Sequence, residues 1–448
     1  MTISRYIDDR PEEGIFRVHA DVFADPELFK LEQEHIFGKA WSFLALESQL
    51  VKPNDYVTTY IGTTPILVMR DGKGKLGGFL NVCRHKGALL CRKETGNSKF
   101  HVCSYHGWAY SSTGKNIDIK DRDGGCYAKS FDCDDHNLIP IARFETYKGL
   151  IFGCLDPEAA PLEEHLGELK TFLDLALEQS PQGLEFVPGR INYTYDANWK
   201  LQLDNGLDAY HFSSTHTSYV ELIRRREVEK AGHKDAKMFD FTKRFSQNGG
   251  MFSFENGHSL IWLNQAQPEL RPLYSKIPEI EKRVGVEKAQ WMLKLRTINI
   301  FPNLQIADST SLLLRTFRPI SANKTEMRVY CMAPIGESPE DRTFRIHQFE
   351  DFFNVSGFAT PDDTAVYEDC QTSFASSQPG WLQGYQRGMA ATTEGASESA
   401  TAIGGRPLAS VEGPWIIQNE TVLQEPYREW ARLMAPALRA REEEGKHA

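Results

Sequence analysis

The pairs Cys83-Arg84-His85 and Cys103-Ser104-Tyr105-His106 stand 17 residues apart, and Gly107-Trp108 follows the second. Two Cys–His pairs at the ends of strand-like runs carry what a two-iron cluster needs. Thiolates suit one iron and neutral imidazoles cap the other; in a Rieske [2Fe–2S] centre two histidines replace two cysteines on one iron, which raises the reduction potential. Gly87 and Gly107 let the two loops fold tightly round the sulfides. A Cys2His2 zinc site is the competing chemistry. Zinc motifs, however, keep Cys with Cys and His with His at short spacings, and the order here differs. Cys91, Cys126, Cys133, Cys154, Cys331 and Cys370 have no paired spacing and read as small buried hydrophobes.

A second constellation begins at Asn198-Trp199-Lys200 and runs through Asp204-Asn205-Gly206-Leu207-Asp208-Ala209-Tyr210-His211 to His216. On a helix Asp208 and His211 share a face. His216 lies five residues beyond His211, about 140° away on a straight helix. The two histidines meet only if the helix ends or distorts at Ser213-Ser214-Thr215. Two histidines with a carboxylate from elsewhere make the facial triad of mononuclear non-haem iron(II), which leaves positions open for O2 and water. Pro361-Asp362-Asp363-Thr364 offers that carboxylate, with both acids open as the ligand. A redox relay upstream needs such a terminal catalyst, and a bare electron carrier leaves residues 159–448 without a purpose.

Positioning these groups takes at least two domains. The chain has 448 residues, 41% hydrophobic and 25% charged, which excludes collagen-like, wholly disordered and small disulfide-stapled classes. Its longest apolar runs, such as 65–69, fall far short of the roughly 20 residues that span a bilayer, so no membrane segment is expected. A net charge of −10, from 51 basic and 61 acidic residues, argues against a nucleic-acid partner. Residues 1–10 show no apolar signal core, and eight cysteines without an export signal fit a reducing, cytoplasmic setting.

Asp25 as N-cap and Pro26 as first helical residue predict a helix over 25–38. From Trp41 the texture is β. Runs at 55–61 and 65–70 are rich in β-branched residues, 71–75 is a turn by composition, and 77–82 and 147–153 read as further strands. Residues 42–158 therefore form a small all-β unit holding the first constellation, and 156–161 is a linker. A helix follows over 162–177, then a strand at 193–195, an antiparallel pair at 311–317 and 327–332, and helices including 340–353. Sheet with segregated helices gives an α+β class. Residues 388–412, rich in Gly, Ala, Ser and Thr, read as a long loop, and the charged tail 440–448 as frayed. There are no internal repeats. The second domain is 1–41 together with 159–448.

Taken together, these residues resemble the large (α) subunit of the Rieske non-haem iron aromatic-ring-hydroxylating oxygenases, over essentially the whole chain. The carriers are Cys-x-His–x17–Cys-x2-His-Gly-Trp and Asn-Trp-Lys…Asp-Asn-x2-Asp-x-Tyr-His-x4-His. Residues 7–10, 14–19, 88–92 and Ser98 are most similar to the benzoate, toluate, anthranilate and cumate group. Two residues separate Asn205 from Asp208, where naphthalene- and biphenyl-type members usually have three. Position 204 is Asp where many members have Glu, a conservative departure. The resemblance implies Cys83 and Cys103 on one cluster iron, His85 and His106 on the other, and His211, His216 and Asp363 on the catalytic iron, with Asp362 the alternative ligand. It implies that Asp208 bridges His106 of one subunit and His211 of the next. It also implies trimers, either α3 alone or α3β3 with a small β subunit, fed by a ferredoxin or flavin reductase.

The implied reaction is aromatic ring + O2 + NADH + H⁺ giving a cis-dihydrodiol and NAD⁺, on a monocyclic aromatic acid or amine. The alternative is a Rieske monooxygenase such as a salicylate hydroxylase or a demethylase. NADH would bind a separate reductase, because the chain has no Gly-x-Gly-x-x-Gly fingerprint; Gly72-x-Gly74 lies in the hairpin turn. Asn205, Phe212, Phe352, Phe353 and Phe358 flank the ligand segments and are the pocket candidates, with ordinary core packing equally open for each phenylalanine. An aromatic acid needs a buried cationic or hydrogen-bonding partner. Arg224-Arg225-Arg226 follows the iron-binding segment, but a charge run is usually a solvated face.

Overall fold

The computed structural model describes residues 3–230, 247–376 and 378–447. It divides into a unit spanning Phe37–Leu162 and a second made of the residues up to Ile36 with those from Glu163 onward, against sequence-read limits of 42 and 158. Among the described residues no helix is long and apolar enough to cross a membrane.

The smaller unit is built of antiparallel strands: β1 (Ser42–Leu46), β2 (Asp55–Ile61), β3 (Thr64–Arg70), β4 (Leu76–Leu80), β5 (Thr95–Asn97), β6 (Phe100–Val102), β7 (Ala109–Ser111), β8 (Asn116–Asp118), β9 (Arg143–Tyr147) and β10 (Leu150–Cys154). They pair as β4-β3-β2-β5, β8-β7-β6 and β9-β10-β1. Ile66, Leu67, Val68 and Met69 of β3 are all buried, so their unbroken apolar run reads as a strand covered on both faces. The β3–β4 turn is fixed by Asp71, whose Oδ1 accepts the Lys73 and Lys75 amides at 2.8 and 2.9 Å, with Gly74 at φ 89°. The expected single strand over 147–153 is two. Lys148 and Gly149 take φ 44° and 87°, and the chain reverses between β9 and β10.

The larger unit carries a ten-stranded antiparallel sheet. Its strands are β11 (Leu184–Phe186), β12 (Ile191–Tyr195), β13 (Asn248–Ser253), β14 (Ser259–Leu263), β15 (Leu295–Ile300), β16 (Leu304–Asp308), β17 (Leu312–Ser321), β18 (Lys324–Pro334), β19 (Thr393–Glu394) and β20 (Ala409–Pro414). Both β11 and β12 pair with β18, and the order then runs β18-β17-β16-β15-β14-β13-β20-β19. The helices that matter here are α1 (Pro26–His35), α2 (Trp199–Asn205), α3 (Phe212–Thr215), α4 (Thr217–Lys230), α5 (Pro339–Phe353), α6 (Thr360–Phe374) and α7 (Gln424–His447). Asp25 caps α1 by accepting the Glu27 amide at 2.8 Å.

Three further expectations change. The helix over 162–177 breaks at Gly167 (φ 49°) into Leu162–Leu166, a 3-10 turn and Lys170–Leu177. The loop over 388–412 ends in β20, whose residues pair along β13 from Ala409 opposite Ser253 to Pro414 opposite Asn248; its small residues hide a strand signal. The tail does not fray at 440, because α7 runs on to His447.

Helix α2 is pinned by one buried acid. Glu32 of α1 accepts Trp199 Nε1 at 2.9 Å, Lys200 Nζ at 2.6 Å and Trp430 Nε1 of α7 at 2.7 Å. Both charged side chains are 1% exposed, so neither can be left alone without a large desolvation cost.

Candidate metal centres

In the smaller unit the loop after β4 and the loop between β6 and β7 repeat one geometry. Gly87 N–H donates to Cys83 O at 3.0 Å, and Gly107 N–H to Cys103 O at 2.9 Å. Cys83 N–H donates to Ala88 O and Cys103 N–H to Trp108 O, both at 2.8 Å. Each glycine sits at positive φ, 73° and 77°, where a side chain would be strained. The result puts Cys83 and Cys103 in the core, 2% exposed each, with His85 and His106 half-buried at the rim. The two imidazole rings meet edge to face at 4.4 Å, and Trp108 stacks on His85 at 5.0 Å.

The chemistry of this donor set fits an iron–sulfur cluster. Burial pushes the Cys83 thiol above its ordinary value, so its thiolate needs a cation beside it. Burial, with the neighbouring His106 and Lys86, lowers His85 and keeps it a neutral imidazole. Its Nδ1 is buried with no hydrogen-bond partner, as a ligand atom would be. Tyr110 Oη lies 3.5 Å from Cys83 Sγ and accepts the Arg84 amide at 3.1 Å. Among the described residues all eight cysteines are free.

The second constellation is made by interrupting a helix twice. Asn198 caps α2 through the Lys200 amide, 3.1 Å. At the other end Gln305 of β16 donates through Nε2 to Gln202 O and Leu203 O, 3.2 Å each, tying the last turn of the helix to the sheet. Gly206 follows because a Cβ there would lie 2.2 Å from the Gln305 side chain. Residues 206–210 are non-helical, so Asp208 and His211 do not share a helical face as expected. Instead Asp208 Oδ1 accepts the Tyr210 and His211 amides at 2.6 and 3.3 Å, and its Oδ2 lies 3.2 Å from His211 Nδ1. Helix α3 is one turn long, with His211 before it and His216 after it. That break turns the two rings toward each other, as the spacing requires.

Three lone-pair atoms then converge: His211 Nε2, His216 Nε2 and Asp363 Oδ1, the last from the first turn of α6. The two nitrogens are 3.2 Å apart, and the carboxylate oxygen lies 3.5 and 3.2 Å from them. Lone pairs facing at such distances repel unless a proton or a cation sits between them, and all three atoms fall within 4.8 Å of one another. Asn205 Nδ2 approaches the same oxygen at 3.0 Å. Asp362, the open alternative, points elsewhere: its Oδ2 lies 3.6 Å from His216 Nδ1 and accepts Ser218 Oγ at 3.2 Å. A carboxylate, Asp208 or Asp362, thus lies behind each imidazole, though neither Nδ1 is hydrogen-bonded to it. Burial pulls His211 down, yet Asp208 and Asp363 more than offset it and the imidazole is raised.

A cavity opens beside the trio. Its floor is the sheet, where Ala307, Thr297 and Ile261, in a mostly apolar cross-strand row that continues to Leu313, line it. The next row, Arg315, Gln305, Asn299 and Ser259, is polar and lies under α2. Phe212 and Phe352 stack at 6.1 Å, and both rings pack against His216. Of the expected pocket residues, Asn205, Phe212, Phe352 and Phe353 line the cavity. Phe358 does not; it follows the end of α5 and is 39% exposed. Arg224 and Arg225 are exposed, and Arg226 pairs with Asp351. Sequence reading missed Arg315 and the backing role of Asp362, because neither lies in a spaced motif; strand register alone brings Arg315 to the cavity.

Comparison with known proteins matches both domains. Residues 187–436 match the family model of the ring hydroxylating alpha subunit catalytic domain, and residues 40–133 match the Rieske [2Fe-2S] domain. The chain is 40% identical to the toluate 1,2-dioxygenase subunit alpha of Pseudomonas putida, covering 100% of this chain and 97% of that protein. It is 39% identical to the 2-halobenzoate 1,2-dioxygenase large subunit of Burkholderia cepacia, over 98% and 93%. It is 38% identical to the anthranilate 1,2-dioxygenase large subunit of Acinetobacter baylyi, over 96% and 92%. The crystal structure of naphthalene 1,2-dioxygenase from Rhodococcus sp. superposes with a TM-score of 0.80 at 30% identity, over 94% of both chains.

Proposed function

The chain belongs to the family of ring-hydroxylating oxygenase α subunits, and on that premise we propose that it dihydroxylates a monocyclic aromatic acid at its carboxylate-bearing edge. It is the large, terminal oxygenase component of a multicomponent aromatic-ring dioxygenase, a Rieske non-haem iron enzyme. Its cofactors are a [2Fe–2S] cluster and a mononuclear iron, O2 is its co-substrate, and NADH electrons arrive through a separate reductase or ferredoxin. For benzoate as the simplest such acid the balance is benzoate + O2 + NADH + H⁺ giving cis-1,2-dihydroxycyclohexa-3,5-diene-1-carboxylate and NAD⁺. The observation that carries the substrate class is the 38–40% identity, over almost the full length, to relatives named for toluate, halobenzoate and anthranilate.

Cys83, Cys103, His85 and His106 are the proposed cluster ligands, and His211, His216 and Asp363 the proposed iron ligands, supported by the convergence of lone pairs described above. A ferrous iron with open positions supplies stepwise dioxygen activation, and the cluster supplies electrons one at a time. The protein's own part is orientation and exclusion. Asp208 holds the His211 ring by its Nδ1 side and keeps Nε2 free for the metal. Asp362 places a negative charge 3.6 Å behind His216 Nδ1 without hydrogen-bonding it. Phe212, Phe352 and Phe353 close over the apolar floor and keep water from the reacting edge. Asp208 also has the chemistry to accept a hydrogen bond from His106 of a second copy, which supports a ring of like chains, either α3 or α3β3. Free cysteines support a cytoplasmic setting.

The test is reconstitution with a reductase and ¹⁸O2. Two labelled atoms in a cis-diol acid are expected. A single labelled atom, in a phenol or a dealkylated product, would instead identify a monooxygenase.

A further inference from the structure

We propose that Arg315 is the carboxylate anchor of the substrate cavity, selecting aromatic acids over neutral arenes and holding the acid-bearing ring carbon beside the His211–His216–Asp363 trio. This rests on the substrate class proposed above. Attack on ring carbons 1 and 2 leaves the carboxylate, carried by carbon 1, next to the reacting edge. Its partner must therefore line the cavity on the ligand side.

Two guanidinium residues line that cavity, Arg296 and Arg315. Arg296 is already engaged: its Nη2 lies 2.5 Å from Asp308 Oδ2, a carboxylate it shares with Arg271, and its Nη1 donates to Trp291 O. Among the described residues Arg315 has no carboxylate within ion-pair reach, and its Nε donates to Gln305 Oε1 at 2.9 Å. Gln305 is fully buried and is itself held by the end of α2. The guanidinium plane is thus fixed from behind, with both Nη groups left for a ligand. Arg315 is half-buried, and a cation partly withdrawn from water beside apolar walls gains from a counter-charge. A flat carboxylate taken by two parallel N–H bonds supplies that charge and also sets the ring's direction.

The position in the sheet sharpens the assignment. Arg315 closes the polar row Arg315–Gln305–Asn299–Ser259, and the neighbouring row Leu313–Ala307–Thr297–Ile261 is mostly apolar. An aromatic acid matches that boundary, with its carboxylate over the first row and its ring over the second. Arg226 cannot serve in this way, because it is paired with Asp351 and does not line the cavity.

The experiment compares iron-loaded wild type with R315M and R315K, titrated calorimetrically with benzoate and with benzamide, alongside iron content. Charge-assisted hydrogen bonds of this kind predict that R315M weakens benzoate binding roughly 10- to 100-fold. The benzoate-to-benzamide affinity ratio should collapse with it, and R315K should restore part of both. Equal weakening of the two ligands, no weakening, or a loss of iron that parallels the loss of benzoate binding would overturn the assignment while leaving the substrate class intact. Wild type that neither binds nor oxygenates any aromatic acid would overturn the substrate class and the anchor together.

Discussion

Asp204 offers the sharpest quantitative test of the segment that carries the second centre. Its carboxylate is half-buried four residues before Asp208 and accepts Tyr385 Oη at 2.8 Å and Tyr427 Oη at 3.0 Å. Burial, opposed by the two tyrosine hydroxyls, pushes the carboxyl up from 3.8 to about 7. Asp208 adds to the rise and Lys200 opposes it. The native state therefore holds a proton that the unfolded chain gives up near pH 4. With the native state binding more protons, stability falls as pH rises between about 4 and 7. A shift of roughly three units at 1.36 kcal/mol each makes the loss on the order of 4 kcal/mol by pH 8. Asp204→Asn keeps an acceptor oxygen and removes the titration. Urea unfolding of wild type and variant at pH 5, 6, 7 and 8, read by fluorescence of Trp199 and Trp430, measures the difference. The variant should gain on wild type by up to about 1.4 kcal/mol per pH unit up to pH 7, and then level off. Parallel pH profiles for the two proteins would refute the reasoning.

Glu32→Gln leaves the Lys200 ammonium buried without its counter-charge, and a loss of about 3–5 kcal/mol is expected in the unfolding free energy. Adding Lys200→Met should recover much of it, whereas a single variant within 1 kcal/mol of wild type would show that the pair is solvated. Asp208→Asn should keep normal iron content and the cluster's spectrum yet lose turnover by about 100-fold or more, since the His211 ring loses its charged partner. Full turnover with normal iron would reject that role. Tyr110→Phe removes the hydroxyl 3.5 Å from Cys83 Sγ, and the cluster's reduction potential should drop by about 40 mV, the equivalent of about 1 kcal/mol for one electron. An unchanged potential in protein-film voltammetry would show that the hydroxyl does not reach the sulfur.

The metal chemistry was legible because ligand types at fixed spacing are local information. Cys83, His85, Cys103 and His106 sit in two loops whose glycines already mark the turns. The His211–x4–His216 spacing likewise forced a broken helix, and α3 is that break. The choice between Asp362 and Asp363 was not local. Adjacent residues at a helix start point in different directions, and only the packing of α6 beside α3 turns one inward and the other behind His216. Arg315 was hidden for a related reason, since its meaning comes from cross-strand register with Gln305 rather than from any neighbour in sequence. β20 escaped notice because Ala409-Ser410-Val411-Glu412-Gly413-Pro414 has weak strand propensity, and pairing with β13 overrides it.

The account stands on two separate iron sites in one chain, and counting metal tests that most directly. Purified, reconstituted wild type should hold about three irons per chain, two in the cluster and one at the trio, and should give on reduction the rhombic paramagnetic signal of a histidine-capped cluster. His216→Ala should fall to about two irons with that signal unchanged, because the deleted ligand belongs only to the trio. Zinc in place of iron at Cys83 and Cys103, or a His216→Ala protein that still holds three irons, would contradict it.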